Sequence, residues 1–553
     1  VRADDAGITP RIAAALALIG VVIFTWPALP RITTHLLGHP FGEVDNHLWM
    51  ATFGGRADAP VRNFPTGFDL PLMDPVHLPF WVVGGLAGPV LAYNAVILLD
   101  LLVAALGGWV LSRELGATRG GALVGMTATA FSPFLAGMIE FGITEAWPVG
   151  FFALHAALLL RFGRTGHAIH ALGAGAALGG FLLSGWYHAA FALVAEVGLA
   201  AWALARGPRL RTLAGVVAQG ALASAPLLPL WLETRARADI WAPRLSGLTR
   251  AVRYTDWAQN PRFGTDLLNL VTPHVDALDV SRTVYLGLGV LALALLGARR
   301  RDGLAALGVA VPLLVLALGH WLRVGGEPVG GLGPLPAGWL AEKLPVVQGI
   351  SHWYRAAGPA TVLLGAAAGL GASILVGERR WPAILLAAAV FADAVGLAPV
   401  PWPRVHYAPD PPRAISSLPK PGALLQLPFD EGRGLTGIAS RRVYDQWQVF
   451  HRRSITEHYE GRDELVYTST VVATWQRACA GVGPLVPVAR SPEDELARLF
   501  ALGIAYVVVH PEYAKESCAR TVSQRLGEPT LRQGRIIAWD LGAVVEQLEG
   551  GRR

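Results

Sequence analysis

Apolar runs of membrane-crossing length recur along most of this chain. A helix needs about 20 mostly apolar residues to cross the hydrocarbon core of a bilayer. Eleven stretches approach or reach that length: 11–29, 91–112, 120–137, 146–161, 168–184, 188–205, 212–232, 284–298, 303–321, 356–376 and 382–399. Composition agrees with them. Of 553 residues, 53% are hydrophobic and only 16% are charged, against about 25% charged in ordinary soluble domains. So few charges cannot cover the surface of a soluble protein this large. The same figures exclude disorder, collagen and a disulfide-dense scaffold. The fold class expected is therefore a polytopic α-helical membrane protein with about 11 transmembrane helices. The first run is not a cleavable signal peptide, because Trp26-Pro27 closes it without a small-residue cleavage pattern. A shorter piece, 76–90, carries Pro79, Gly84, Gly85, Gly88 and Pro89 and reads as interfacial or re-entrant.

Charge placement orients these spans. Alternate loops carry Arg113 and Arg119; Arg161 and Arg164; Arg206, Arg209 and Arg211; Arg299, Arg300 and Arg301; Arg379 and Arg380. Only Glu114, Asp302 and Glu378 oppose them. By the positive-inside rule these five loops are cytoplasmic. The N-terminus is then cytoplasmic, and the outer loops are 30–90, 233–283 and 322–355. The formal charge of +6 is thus a topology signal and implies no nucleic acid. Just three basic residues are lysines, Lys343, Lys420 and Lys515, and the bias to Arg, Ala and Gly points to a bacterial source. A bacterial inner-membrane location follows. Gly175 and Gly179 form a GxxxG that reads as close packing within the bundle.

The chain changes character near residue 399. Residues 400–421 are Pro-rich and read as a linker after a membrane domain of 1–399. Residues 422–553 read as a small extracytoplasmic α/β domain. It has strand-like runs at 423–428, 504–510 and 535–540, and a helix capped by Ser491 before Pro492. Cys479 and Cys518, the only cysteines, lie there. Outside the cytoplasm a disulfide and two free thiols are both open.

No HExxH, P-loop, GxSxG or strand-to-helix GxGxxG is present, which argues against an ATP-driven pump. The informative residues face outside. Beyond the first span stand Glu43, Asp45, Asn46, His47 and Trp49. A carboxylate there beside apolar surroundings can take a proton from a substrate hydroxyl; the alternative is an ordinary polar loop. Asp100, His155, Glu196 and Asp393 fall singly inside spans and read as hydrogen-bonding groups within the bundle.

Several stretches together resemble the GT-C superfamily of polytopic glycosyltransferases, in particular the bacterial YfhO-like branch with a C-terminal extracytoplasmic domain. They are 42–45 (GEVD), 92–94 (AYN), 111–116 (LSRELG), 130–133 (AFSP), 184–188 (SGWYH), 353–359 (WYRAAGP) and 502–510 (LGIAYVVVH). The resemblance implies transfer of a sugar from a lipid-linked, polyprenyl-phosphate donor to a glycan, lipid or protein acceptor on the outer face. It implies Asp45 as catalytic base, with Glu43 as its partner or substitute. Displacing a lipid phosphate also needs cationic groups or a divalent metal, Mg or Mn. Arg355, flanked by His352 and Tyr354, is the leading candidate for the phosphate contact, with Arg282 and Arg253 in reserve; a headgroup anchor is the alternative reading of Arg355. In some branches of the superfamily an acid of the second outer loop helps hold a divalent metal; here that would be Glu140 or Glu145, and the alternative reading, which the residues favour, is a solvated helix terminus. Trp186, Tyr187 and His188 offer rings for a sugar face or an interface belt. Two rival functions stand beside this one: a transporter or flippase for lipid-linked glycans, and a non-catalytic membrane scaffold with an outer binding domain.

Overall fold

A computed structural model of the chain describes residues 8–40, 42–53, 60, 86–229, 232, 264–273, 284–330, 334–344, 350, 352–397, 402–428, 440–458, 461–462, 466, 469–481 and 490–550. Each of the eleven apolar stretches contains a helix. Among the described residues, four helices are long and apolar enough to cross a membrane: Pro89–Glu114, Arg119–Glu140, Thr144–Thr165 and Trp353–Val376. Shorter apolar helices are Pro10–Thr25, Ala168–Leu182, Ala190–Leu204 and Leu288–Gly297. Three more helices, Arg209–Ser224, Arg301–Ala317 and Arg380–Gly396, match the remaining stretches. The stretch 120–137 is broken inside: one helix ends at Ala130 and the next starts at Pro133. Pro133 has no amide hydrogen to donate, and the Ser132 hydroxyl accepts from Leu135 N instead.

Small residues set the middle of the bundle. Helix Arg119–Ala130 packs on Ala357–Val376, and a Cβ at Gly369 would stand 3.0 Å from the Gly121 carbonyl. Such backbone approach replaces the hydrophobic drive that lipid removes. Gly175 likewise presses on Gln219 of helix Arg209–Ser224, so the GxxxG packs within the bundle. His155 Nδ1 faces the Ala174 carbonyl at 3.0 Å, its Nε2 pairs with Glu196, and Gln219 donates to Glu196. Asp393 accepts from the Tyr285 hydroxyl and the Gly289 amide.

The five short basic loops meet at one end of the bundle. Glu114 accepts from Arg161 and Arg164, Arg206 pairs with Asp302, Arg300 reaches the Gly116 carbonyl, and Thr118 donates to the Gly377 carbonyl. The described parts of the loops 30–90, 138–145 and 322–355 lie at the opposite end. There Leu36–Leu37 pairs antiparallel with His406–Tyr407, fastening the first outer loop to the Pro-rich segment. Exposed Trp26 and Trp402 stand at that end, where the Trp402 indole donates to the Ile23 carbonyl. Such rings suit a membrane interface.

Residues 423–550 form an α/β unit. Its sheet runs in the order Ala423–Leu427, Ile504–Val509, Ile536–Asp540, Leu531–Gln533. The first pair is parallel and the other two are antiparallel. A parallel pair needs a long crossover, and helices Ser440–His451, Thr470–Ala480 and Pro492–Ala501 lie in it. Leu425, Leu427, Val507 and Trp539 bury one sheet face; Leu424, Tyr506, Val508 and Ala538 bury the other. That alternation is the period of a strand. Cys479 and Cys518 are disulfide-bonded, tying Thr470–Ala480 to Ser517–Leu526. Helix Ser440–His451 also packs on the first-loop helix Val44–Phe53, and its Val449 belongs to the core of the bundle.

Candidate functional site

The site is assembled from four short pieces of chain at the outer-loop end. The first is the turn into helix Val44–Phe53. Its backbone is zipped to the second outer loop: His39 N donates to the Glu140 carbonyl and Glu43 N to the Phe141 carbonyl. Gly42 permits this approach, since a Cβ there would stand 2.6 Å from the Phe141 oxygen. The His47 amide donates to the Glu43 carbonyl. This first helical turn sets the Glu43 and His47 side chains on one face.

The second piece is the single turn Thr144–Ala146. Thr144 Oγ1 lies 2.7 Å from His47 Nδ1, which fixes the ring. Glu145 Oε2 lies 3.4 Å from His47 Nε2, and Glu43 Oε2 lies 3.5 Å from the same nitrogen. Two carboxylates therefore share one imidazole nitrogen. The third piece is the turn Trp353–Ala356, which opens the late helix. It buries Arg355, whose Nη1 donates to Glu145 Oε1 at 2.5 Å. The fourth is the start of helix Trp186–Leu204. There the Tyr187 ring lies 5.1 Å below the Arg355 guanidinium, with His352 edge-on to Tyr187 and to Tyr354.

Glu43, His47 and Glu145 each offer a ligand atom, and those atoms lie within 4.8 Å of one another. Two carboxylate oxygens and an imidazole nitrogen fit a divalent ion that accepts nitrogen. Manganese suits this set better than magnesium, which prefers oxygen alone. The buried cation Arg355 leans on the same Glu145.

The expected residues divide as follows. Glu43, Glu145, Arg355, Tyr187, His352 and Tyr354 come together. Glu140 does not join them. It lies on the other side of the 140–142 turn, beside Arg404 of the Pro-rich segment. Burial pushes Arg404 down to about 10, and the Glu140 charge offsets part of that fall. His188 sits one layer inside: Ser184 Oγ is 2.7 Å from its Nδ1, and Phe181 stacks on its ring. Asp45 is in helix Val44–Phe53, while its side chain and that of Trp186 lie outside the described residues. So do Arg282, Arg253 and most of 76–90. His47 is the member that sequence reasoning assigned no role. The i,i+4 spacing of Glu43 and His47 was the available signal.

No protein-family profile and no curated protein matches the chain. Solved structures do. The arabinofuranosyltransferase AftD from Mycobacteria superposes with a TM-score of 0.53 at 16% identity, over 98% of this chain and 40% of its own. The chain thus spans about two fifths of that relative's length. ArnT from Cupriavidus metallidurans, solved bound to undecaprenyl phosphate, superposes with a TM-score of 0.52 at 14% identity, over 96% of this chain and 97% of its own. At such identities the likeness speaks to fold. With the helical bundle, the Glu43–His47–Glu145–Arg355 cluster and the appended α/β unit in place, this chain shares the fold of these two solved proteins.

Proposed function

We propose that the protein is an integral membrane glycosyltransferase of the YfhO-like branch. It takes a sugar from a polyprenyl-phosphate donor and gives it to a glycan, lipid or protein acceptor on the outer face of a bacterial inner membrane. In this reading the basic end of the bundle and the N-terminus are cytoplasmic, and the α/β unit is extracytoplasmic. One observation carries the proposal: Glu43, His47, Glu145 and Arg355 converge at the end of the bundle opposite the basic loops.

The chemistry follows from that convergence. The acceptor hydroxyl gives its proton to the first-loop carboxylate Asp45, supported by Glu43, and its oxygen attacks the anomeric carbon. The bond from that carbon to the phosphate oxygen breaks, the electron pair leaves with the polyprenyl phosphate, and the anomeric centre inverts. Arg355 stabilises the departing phosphate, since guanidinium matches its geometry. A divalent ion held by Glu43, His47 and Glu145 would supply further positive charge there. Tyr187 and Tyr354 hold Arg355 in place from the ring side.

Purified full-length protein is tested with a radiolabelled polyprenyl phosphate sugar and an envelope glycan acceptor. Asp45→Asn is expected to lower transfer by about 10²–10⁴-fold. Unchanged transfer removes Asp45 as base. Movement of labelled lipid-linked glycan across liposomes without a new glycosidic bond favours the flippase reading. Acceptor binding with neither transfer nor movement favours the scaffold.

A further inference from the structure

The end of the bundle opposite the candidate site carries a second built cluster. Glu114, with a side chain 1% exposed, accepts from Arg161 Nε at 2.9 Å and from Arg164 Nε and Nη2 at 3.1 Å. Arg206 Nη1 stands 3.8 Å from the same carboxylate, and its Nη2 pairs with Asp302 at 2.6 Å. The Arg211 guanidinium lies directly on the Gly166 backbone, in the space a Cβ would take. Gly166 has a φ of +66°, and Gly207 lies against the Gly163 carbonyl. Glycines thus press the segments 161–167 and 206–211 together, so that Arg211, set on Gly166, joins the Arg161, Arg164 and Arg206 group from the neighbouring backbone. Two carboxylates, Glu114 and Asp302, face them; His167 and His170 stand on the same side.

The surplus is positive, and the free edges of Arg164 and Arg211 face outward. Arg164 has a side chain 58% exposed, so an external anion reaches it. Immediately beside these arginines the surface is apolar. Ile169 is 69% exposed, Leu172 52%, Leu210 85% and Leu213 50%. A fixed cationic cradle bordered by greasy helix faces matches an amphiphile with a phosphate head and apolar tails. A free phosphate would use the arginines and leave the leucines uncovered.

We infer that the Arg161–Arg164–Arg206–Arg211 cluster is a binding site for the phosphate headgroup of an anionic phospholipid, separate from the candidate transfer site. The lipid phosphate sits on Arg164 and Arg211, and its chains lie along Ile169, Leu172, Leu210 and Leu213. A basic residue set against an anionic headgroup contributes about fivefold in affinity.

The test uses the purified full chain in detergent, with bound lipid counted by native mass spectrometry. Phosphatidylglycerol, phosphatidylcholine of equal chain length and inorganic phosphate are the three probes. Phosphatidylglycerol is expected to be retained more tightly than phosphatidylcholine, and Arg164→Gln and Arg211→Gln are each expected to weaken it about fivefold. Arg299→Gln, at the same end but outside the cluster, is expected to change nothing. Equal retention of the two lipids overturns the proposal. So does an equal loss in Arg299→Gln, which would mean diffuse surface charge. Inorganic phosphate that binds as tightly as the lipid and displaces it would reassign the cluster to a soluble anion. If an arginine variant fails to fold, the ratio of phosphatidylglycerol to phosphatidylcholine on the unaltered protein decides.

Discussion

The two ends of the bundle are electrostatic opposites built on one plan. At one end the buried cation Arg355 is held by Glu145, with Glu43 and His47 alongside. At the other end the buried anion Glu114 is held by Arg161 and Arg164, with Arg206 alongside. Each end satisfies its buried charge and then carries a surplus of the opposite sign. A surplus of carboxylate and imidazole calls for a cation; a surplus of guanidinium calls for an anion. The difference lies in depth. Arg355 has a side chain 3% exposed, whereas Arg161 and Arg164 are 35% and 58% exposed. Water therefore screens the basic end far more than the acidic one.

Matched substitutions break or sharpen this contrast. Glu145→Gln strands Arg355 in a dry place and is expected to cost about 3–5 kcal/mol, read as a lowered unfolding midpoint. A midpoint close to the unaltered protein would mean that Arg355 has another anchor and that depth is not what separates the ends. Acid is expected to act next, through the α/β unit whose helix Ser440–His451 lies on the first-loop helix. His510 is fully buried against Tyr444 and Trp447. Burial lowers its pKa to about 3, with Arg535 and His451 adding to the fall. Unfolded histidine titrates near about 6.5, so between these values the unfolded chain holds the extra proton. Stability is therefore present above about pH 6.5 and is lost as pH falls toward 3. Hydrogen exchange followed from pH 7 to pH 4 should show the sheet around 504–509 opening while amides near Glu114 stay protected. Equal loosening at both places would remove the distinction.

Manganese gives a smaller shift of the opposite sign. At about a hundredfold excess over its dissociation constant it should stabilise the protein by about 2.7 kcal/mol. His47→Ala should abolish the gain, and Arg164→Gln should leave it intact. A gain that survives His47→Ala would place the ion elsewhere. Glu114→Gln is expected to have the smallest effect, about 1–2 kcal/mol, because Arg161 and Arg164 turn to water once released. A loss as large as that of Glu145→Gln would make the two ends equivalent.

Much of this architecture was legible along the chain. Each of the eleven apolar stretches contains a helix, and among the described residues four helices are long and apolar enough to cross a membrane. Arginine spacing separated the two ends, and the structure brings those loops together through Glu114, Asp302 and Thr118. The strands Ala423–Leu427, Ile504–Val509 and Ile536–Asp540 fall inside the strand-like runs 423–428, 504–510 and 535–540. The candidate site was legible in part. Glu43 and Arg355 stood out as charges beside apolar runs. Glu140 and Glu145 looked equivalent in sequence, and only the turn Thr144–Ala146 sends one toward His47 and leaves the other beside Arg404. His47 was hidden because its partner Thr144 lies 97 residues away.

The sequence by itself determined where the apolar helices fall, which basic loops share an end of the bundle, and that strand-like runs follow from residue 423. Those properties come from local composition, and local composition is read one segment at a time. Only the tertiary structure decided that Glu145, and not Glu140, meets Arg355 across 210 residues of chain. It also decided that Cys479 pairs with Cys518, and that the outer unit rests on the helix bearing His47. These are contacts between distant segments. Their geometry is set by how closely glycine-lined helices approach, a quantity no single stretch of sequence contains.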